Sequence, residues 1–339
     1  MANRDILTIG ASAGGVEALV FLAKNFPRDL PASVIVTLHL APKGGSMLDS
    51  ILSSAGPLPA AFAGDRSPIR KSHIYLAPAD RHLIIEGDYL TLANGPRENN
   101  SRPAIDPMMR SAALCCGGRT IGVVLTGTLG DGASGLWAIA QSGGITVVQD
   151  PDDADFSEMP TNALNRVSPD HVVTLAGMPG LLASLVSERA GEAMPVPQNI
   201  GLEVAVAKGA HSTIEQMDGI ARRSGFACPD CHGAMWEIDE EKLVRYRCHV
   251  GHTYTADLMA VALDENLRRA LGSALRALEE RRALAVRLQN QADRDRQPGL
   301  AASWATRAKE FQRELDVIRK SIARVDEIAT LEEGRRAAE

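Results

Sequence analysis

The sequence predicts an α/β protein on a doubly wound, mostly parallel sheet, from three observations. Short runs are almost wholly apolar, helix-patterned stretches alternate with them, and the first run ends in a turn of small residues. The runs are Ile6–Ile9, Ser33–Leu38, Ile74–Ala77, Thr120–Thr126 and Ile145–Gln149. Strands covered by helices on both faces read as continuous apolar runs, whereas half-exposed strands alternate. Helical spacing predicts helices over Val16–Asn25, Met47–Ala55, Pro107–Cys115 and Gly132–Ser142, with Met178–Ser187 closing the domain. His82–Glu86 and Tyr89–Leu92, parted by Gly87-Asp88, predict a β-hairpin.

These elements assign residues 1–188 to one domain. Residues 189–221 read as a linker, because Glu192–Gly201 is rich in Pro, Gly and polar residues. Residues 222–256 carry a cysteine cluster and form a small module. Residues 257–336 read as a helical hairpin or coiled-coil segment, with a stripe of Leu258, Leu263, Leu267, Leu271, Leu275 and Leu278. Pro298-Gly299 is expected to break it, the second helix running from about residue 305 to 333. Charged runs such as Arg276–Arg282 suit either a solvated face or a docking face for a receptor bundle, a sensor kinase or a second copy.

Composition narrows the function classes. The 339 residues carry a net charge of -6, which argues against broad nucleic-acid binding. Aromatics are 4% of the chain, so the core must be aliphatic. The start lacks the pattern of a signal peptide, and no apolar run reaches the ~18 residues of a membrane span. A cytoplasmic protein without membrane insertion is expected. Of the five cysteines, Cys115 and Cys116 lie on an apolar helix face and read as core. Cys228, Cys231 and Cys248 cluster, which in a reducing compartment favours metal ligation over disulfides.

Gly10-Ala-Ser12-Ala-Gly14 fits the nucleophile-elbow pattern G-x-S-x-G at a strand-to-helix turn. A serine hydroxyl needs a base, and His39 lies just past the second strand, at the same carboxyl edge. The imidazole needs an orienting carboxylate, and Asp131 follows the strand Ile121–Leu125. The order Ser12, His39, Asp131 departs from that of α/β-hydrolases. Singly, Ser12 also suits a phosphate-binding turn, His39 an ordinary loop and Asp131 a helix cap. Three such residues at the ends of three strands point to one hydrolytic site. A dinucleotide site is disfavoured, since the turn is not G-x-G-x-x-G.

Residues 5–186 resemble the catalytic domain of the chemotaxis protein-glutamate methylesterases. The resemblance is carried in order by Gly10–Gly15, His39-Leu-Ala-Pro42, Ile74–Leu83, Ser101–Asp106 with Arg110–Ala113, Leu125–Gly135, Gly143–Asp150 and Glu158-Met-Pro160. It implies hydrolysis of glutamyl γ-methyl esters on methylated chemoreceptors or receptor-like proteins, with glutamine deamidation in some members and no catalytic cofactor. It makes Ser12 the nucleophile, His39 the general base and then acid, and Asp131 the orienting carboxylate. N–H groups near Ser12 and the 127–130 turn are expected to receive the oxyanion. Arg102 and Arg110 read as substrate-side groups or as ordinary surface residues, and His82 as a structural histidine. Thr128-Leu129-Gly130 replaces the family's usual Met-Gly-Asn, leaving a related esterase with another substrate, or a noncatalytic signalling adaptor, as alternatives. Family members usually carry an N-terminal receiver domain, yet four residues precede Asp5 here. Constitutive competence, or control by the C-terminal half or by a response-regulator or kinase partner, is the resulting expectation.

Cys228-Pro-Asp-Cys231 and Cys248-His-Val-Gly-His252 supply a C-x2-C and C-x3-H ligand set, which suits a structural, tetrahedral Zn(II) in a zinc-ribbon-like module. His249 and His232 compete for the fourth position. His252 is favoured because its spacing lets the chain fold back after Gly251. A β-hairpin over Ala234–Tyr246, turning at Asp239–Lys242, links the two knuckles.

Overall fold

The structure is a computed structural model that describes residues 3–40, 46–240 and 243–336, with side chains as far as residue 327. Two compact units divide between Met259 and Ala260. The first opens with β1 (Ile6–Ala11), α1 (Gly15–Asn25), β2 (Ser33–Leu38), α2 (Leu48–Ala55), β3 (Ala60–Phe62), β4 (Ser67–Pro68), β5 (Ile74–Leu76), β6 (His82–Glu86) and β7 (Tyr89–Ala93). It continues with α3 (Ile105–Cys116), β8 (Thr120–Val124), α4 (Ala133–Gln141), β9 (Ile145–Gln149), α5 (Glu158–Arg166), β10 (His171–Val173) and α6 (Met178–Ser187).

Seven strands form a sheet in the order β10-β9-β8-β1-β2-β5-β3, every neighbouring pair parallel. β1 is central, with β2 on one side and β8 on the other, so the winding direction reverses beside it. That switch point opens a crevice at the carboxyl ends of the strands. Successive side chains of β1 enter opposite cores, Ile6 on the face covered by α3 and α4, Leu7 on the face covered by α1, α2 and α6. β1, β2 and β8 are buried along their whole lengths, which is why their sequences are apolar without alternation. The expected hairpin forms as β6 and β7, joined by β4 in a separate antiparallel sheet. The strands and helices expected before residue 188 appear with ends within two residues of expectation. β3, β4 and β10, of two or three residues each, are too short to show a period, and α5 is polar with a proline in its first turn.

The stretch 189–221, expected as a linker, contains α7 (Gln198–Ala207) and α8 (Ile214–Ile220). α7 buries Ile200, Val204 and Ala207 in the core under α3, a stripe too short to stand out amid Gly and Pro. Thr213 and Gln216 close a reciprocal capping box on α8. β11 (Arg222–Ala227), β12 (Ala234–Glu240), β13 (Leu243–Cys248) and β14 (Thr253–Thr255) then form an antiparallel four-stranded sheet. β12 and β13 are the expected hairpin; Glu241 and Lys242 of its turn lie outside the described residues, as do Ala41 and Pro42 after His39.

The second unit comprises most of α9 (Ala256–Arg294) and α10 (Pro298–Arg336). Arg268 pairs with Asp326 and Arg319 with Glu279, so the helices run antiparallel. Pro298-Gly299 opens the second helix instead of breaking the chain, because proline's missing N–H costs nothing in a first helical turn. The seam is Ala285, Ala292, Ala301, Ala308 and Leu315, whereas Leu263 and Leu267 of the predicted stripe stay exposed. Among the described residues no helix is long and apolar enough to cross a membrane.

Candidate active site and metal centre

Ser12 follows β1 where the chain turns into α1. Gly14 takes a left-handed backbone (φ 71°), which glycine adopts without steric cost, and caps α1. The Ser12 N–H donates to Thr126 O (3.1 Å), and the Thr126 hydroxyl donates to Ala13 O (3.1 Å), so the turn is tied to the chain beyond β8. A side chain at Gly127 would stand 2.8 Å from Ser12 Cβ, so only glycine permits this approach.

His39 leaves β2 beside β1, its N–H donating to Ala11 O (3.3 Å). Its Nδ1 is 3.1 Å from Ser12 Oγ and its Nε2 is 2.8 Å from Asp131 Oδ2. An ionised carboxylate can only accept, so the proton sits on Nε2 and Nδ1 is free to accept from the serine. Asp131 is 2% exposed. Its Oδ2 also accepts from Ile105 N–H (2.6 Å), and its Oδ1 from Asn99 Nδ2 (2.8 Å) and Gly132 N–H (3.0 Å). Burial pushes this carboxyl up, but the His39 hydrogen bond and charge, with Ile105 and Asn99, outweigh it and hold it down to about 2. The neighbouring Asp106 goes the other way. Burial and then the Asp131 charge push it up to about 8.

Ser12, His39 and Asp131 therefore meet in one hydrogen-bonded chain at the switch point. Asp131 turns one carboxylate oxygen to His39, so helix capping does not account for it; the start of α4 is capped by Asp106, whose Oδ1 accepts from Gly132 N–H (3.0 Å) and Gly135 N–H (2.7 Å). In the 127–130 turn two of the four N–H groups are engaged. Gly127 N–H is spent on Phe156 O (3.0 Å) and Leu129 N–H on Glu158 Oε2 (2.9 Å). Asn162 Nδ2 donates to Leu129 O (2.8 Å), so α5 holds the turn that departs from the family pattern. Among the described residues the N–H groups of Ala13 and Gly14 meet no acceptor.

Of the two arginines, Arg110 lies at no surface, while Arg102 is partly exposed and held by an ion pair. Arg110 is fully buried, bonded to Glu98 and 3.4 Å from Glu203. Arg102 donates to Asp80 (2.7 Å) and to Gly95 O (2.8 Å), fastening a loop. His82 is structural as expected, with Nε2 to Pro96 O (2.8 Å) and Nδ1 accepting from Ala104 N–H (3.3 Å). Cys116 is buried, but Cys115 is exposed, against the expectation of two core cysteines; its sulfur caps Gly87 N–H (3.1 Å).

The Cys228, Cys231, Cys248 and His252 donor atoms all lie within 4.8 Å of one another, a group that could hold a metal ion. Cys231 Sγ and Cys248 Sγ are 3.7 Å apart, and His252 Nδ1 is 3.6 Å from both Cys228 Sγ and Cys248 Sγ. His252 thus joins the thiols, and His249 and His232 lie outside the group. Beside this site six charged side chains are buried together. Arg245 is bonded to Glu240 and forks onto Glu203 (3.0 Å twice), and Arg247 reaches Glu203 (2.8 Å). Arg110 and Glu98 complete the set, three guanidiniums against three carboxylates, none above 1% exposed. Glu98, Asn99 and Glu203 escaped the sequence reading. The Glu98-Asn99-Asn100 run looks like any polar loop, although paired asparagines do signal the left-handed backbone both adopt.

A serine, a histidine and a buried carboxylate joined in this way on a doubly wound sheet have the arrangement of a serine hydrolase's triad. The CheB methylesterase family model matches residues 7–182, and the chain belongs to that family. It is 33% identical over 174 residues to a Leptospira interrogans protein provisionally named as a protein-glutamate methylesterase/protein-glutamine glutaminase, covering 51% of this chain and 90% of that one. The Pyrococcus horikoshii protein-glutamate methylesterase/protein-glutamine glutaminase is 33% identical over 187 residues, 54% of this chain and 51% of that one. Among solved structures, the Thermotoga maritima CheB methylesterase catalytic domain matches with a TM-score of 0.53 at 29% identity, over 55% of this chain and all of that one.

Proposed function

We propose that the protein is a cytoplasmic serine esterase that removes methyl groups from glutamate γ-esters of chemoreceptor-type proteins. The observation that carries the reading is His39, hydrogen-bonded to Ser12 Oγ on one side and to Asp131 on the other. Ser12 Oγ attacks the ester carbonyl as His39 Nδ1 takes its proton. The Asp131 carboxylate holds the ring and stabilises the imidazolium that forms. Ala13 and Gly14 N–H groups, at the amino end of α1, receive the oxyanion. His39 then protonates departing methanol, and water, activated by His39, cleaves the acyl-serine to free glutamate. Attack on a glutamine side chain follows the same path with ammonia leaving, as the names of the relatives suggest.

Zinc is the metal that best suits the thiol and imidazole group. Tetrahedral Zn(II), with bonds of about 2.3 Å to sulfur and about 2.0 Å to nitrogen, has edges of about 3.8 Å between sulfurs and about 3.5 Å from sulfur to nitrogen. The separations of 3.7 and 3.6 Å fit that figure. Four protein ligands fill the coordination sphere, so the role is structural.

The experiment is methanol release from methylated receptor preparations by the purified chain, with Ser12→Ala beside it. Wild-type release with a loss of at least about a thousandfold in the variant supports the assignment. Equal release by both proteins would sink the nucleophile.

A further inference from the structure

The metal module reaches the orienting carboxylate through a single residue. β14 begins directly after His252, and Thr253 O accepts the Asn99 N–H (2.9 Å). Asn99 in turn donates through Nδ2 to Asp131 Oδ1 (2.8 Å) and to Asp106 Oδ2 (3.0 Å). Its amide orientation is forced, because the reverse would set Oδ1 against the ionised Asp131 carboxylate; Oδ1 meets no donor among the described residues. Asn99 is 3% exposed, buried behind Asp131. The neighbouring Glu98 is clamped by Arg110 and forms a bridge with Thr253. The return strand is itself short and bound at both ends of its loop, with Cys248 N–H donating to His252 O (3.1 Å) and Gly251 N–H to Cys248 O (2.9 Å).

We infer that Asn99 is a positioning residue for Asp131 and that the Cys/His metal module, through the Thr253 main chain, sets where Asn99 stands. The inference rests on the esterase reading. Metal binding then supports the reacting serine at a distance: it orders the 248–252 loop, the loop anchors Thr253, and Asn99 carries that position to the carboxylate holding His39. The module need not touch substrate to set the rate.

The test uses the full chain and a fluorophosphonate that labels active serines. Asn99→Gly is the clean variant, because φ at this position is 49° and glycine keeps the backbone N–H bond to Thr253 while deleting the carboxamide. Ser12 labelling should slow about tenfold to a hundredfold, and on ester substrate the loss should fall on kcat with KM unchanged. Removing the metal from wild type with a chelator should slow labelling comparably and raise hydrogen exchange at the Asn99 amide. In Asn99→Gly, metal removal should then cost less than about twofold more, since the two changes break one connection. General unfolding would instead slow both proteins alike, which would overturn the inference. So would wild-type labelling and Asn99 exchange that ignore the metal, or Asn99→Gly labelling at the wild-type rate. Absence of any Ser12 labelling in the wild type would refute the esterase reading, while the exchange measurement still decides whether the metal governs Asn99.

Discussion

The parallel sheet and the β11–β14 sheet are built on opposite economies. The parallel sheet buries aliphatic side chains on both faces, and Ser12, His39 and Asp131 stand together at the carboxyl edge of its strands. The antiparallel sheet buries Arg245, Arg247 and Glu240 against Glu203 of α7, with few large apolar side chains beyond Met235, Trp236, Ile238 and Leu243. Apolar burial is additive and tolerant, because each methylene contributes on its own. A buried ion cluster works only as a set, because any member left alone is an unpaired charge in a poor solvent. The parallel sheet should therefore lose stability by increments, and its neighbour abruptly.

The sharpest way to break this contrast is to remove one member of the cluster. Arg245→Met strands Glu240 and takes one of three guanidinium partners from Glu203, and should cost about 3–5 kcal/mol in urea unfolding. Replacing both partners, Arg245→Met with Glu240→Leu, should recover much of that loss despite changing more residues, because Glu203 keeps Arg247 (2.8 Å) and Arg110 (3.4 Å); a double variant weaker than the single one would refute the set-like account. Next in size, Leu22→Ala in the parallel-sheet core should cost about 2–5 kcal/mol, with no recovery from any neighbouring change. Cys228→Ser should release bound metal, read by elemental analysis, and lower the melting temperature of the module; unchanged metal content would remove the ligand assignment.

Acidity offers a finer comparison within the active site. Asp131 is held below its ordinary value, so its stabilising contribution is present above pH ~4 and lost as pH falls toward ~2. Asp106 is raised, so the native state keeps a proton that the unfolded chain gives up. Stability should therefore fall as pH rises from ~4 toward ~8. In Asp106→Asn this decline should be shallower than in wild type, measured as urea midpoints at several pH values. The smallest effect belongs to the second unit. Arg319→Ala breaks a pair whose partners are each about half exposed, and should change stability by less than about 0.5 kcal/mol.

Much of this molecule was legible in its sequence. The strands of the parallel sheet announced themselves because burial on both faces demands continuous apolar runs. Ser12, His39 and Asp131 could be read because each sits where a strand ends, and strand ends share one edge. The Cys/His group that could hold a metal was legible because its two knuckles are local in sequence, and the fold brings His252, already favoured by its spacing, to the thiols and leaves His249 and His232 outside. The rest depended on contacts between distant segments. Arg110 looked like a surface or substrate group until Glu98 and Glu203, 12 and 93 residues away, enclosed it. The 189–221 stretch looked like a linker because the burial of α7 comes from α3, not from its own short stripe. Asn99 had no legible role at all, since a polar loop acquires one only when Thr253 and Asp131 are brought to its two ends. Periodicity and ligand spacing are properties of a short stretch of chain and survive in the sequence. The pairing of buried charges and the relay of position between sites belong to the packing, and only the tertiary structure decided them.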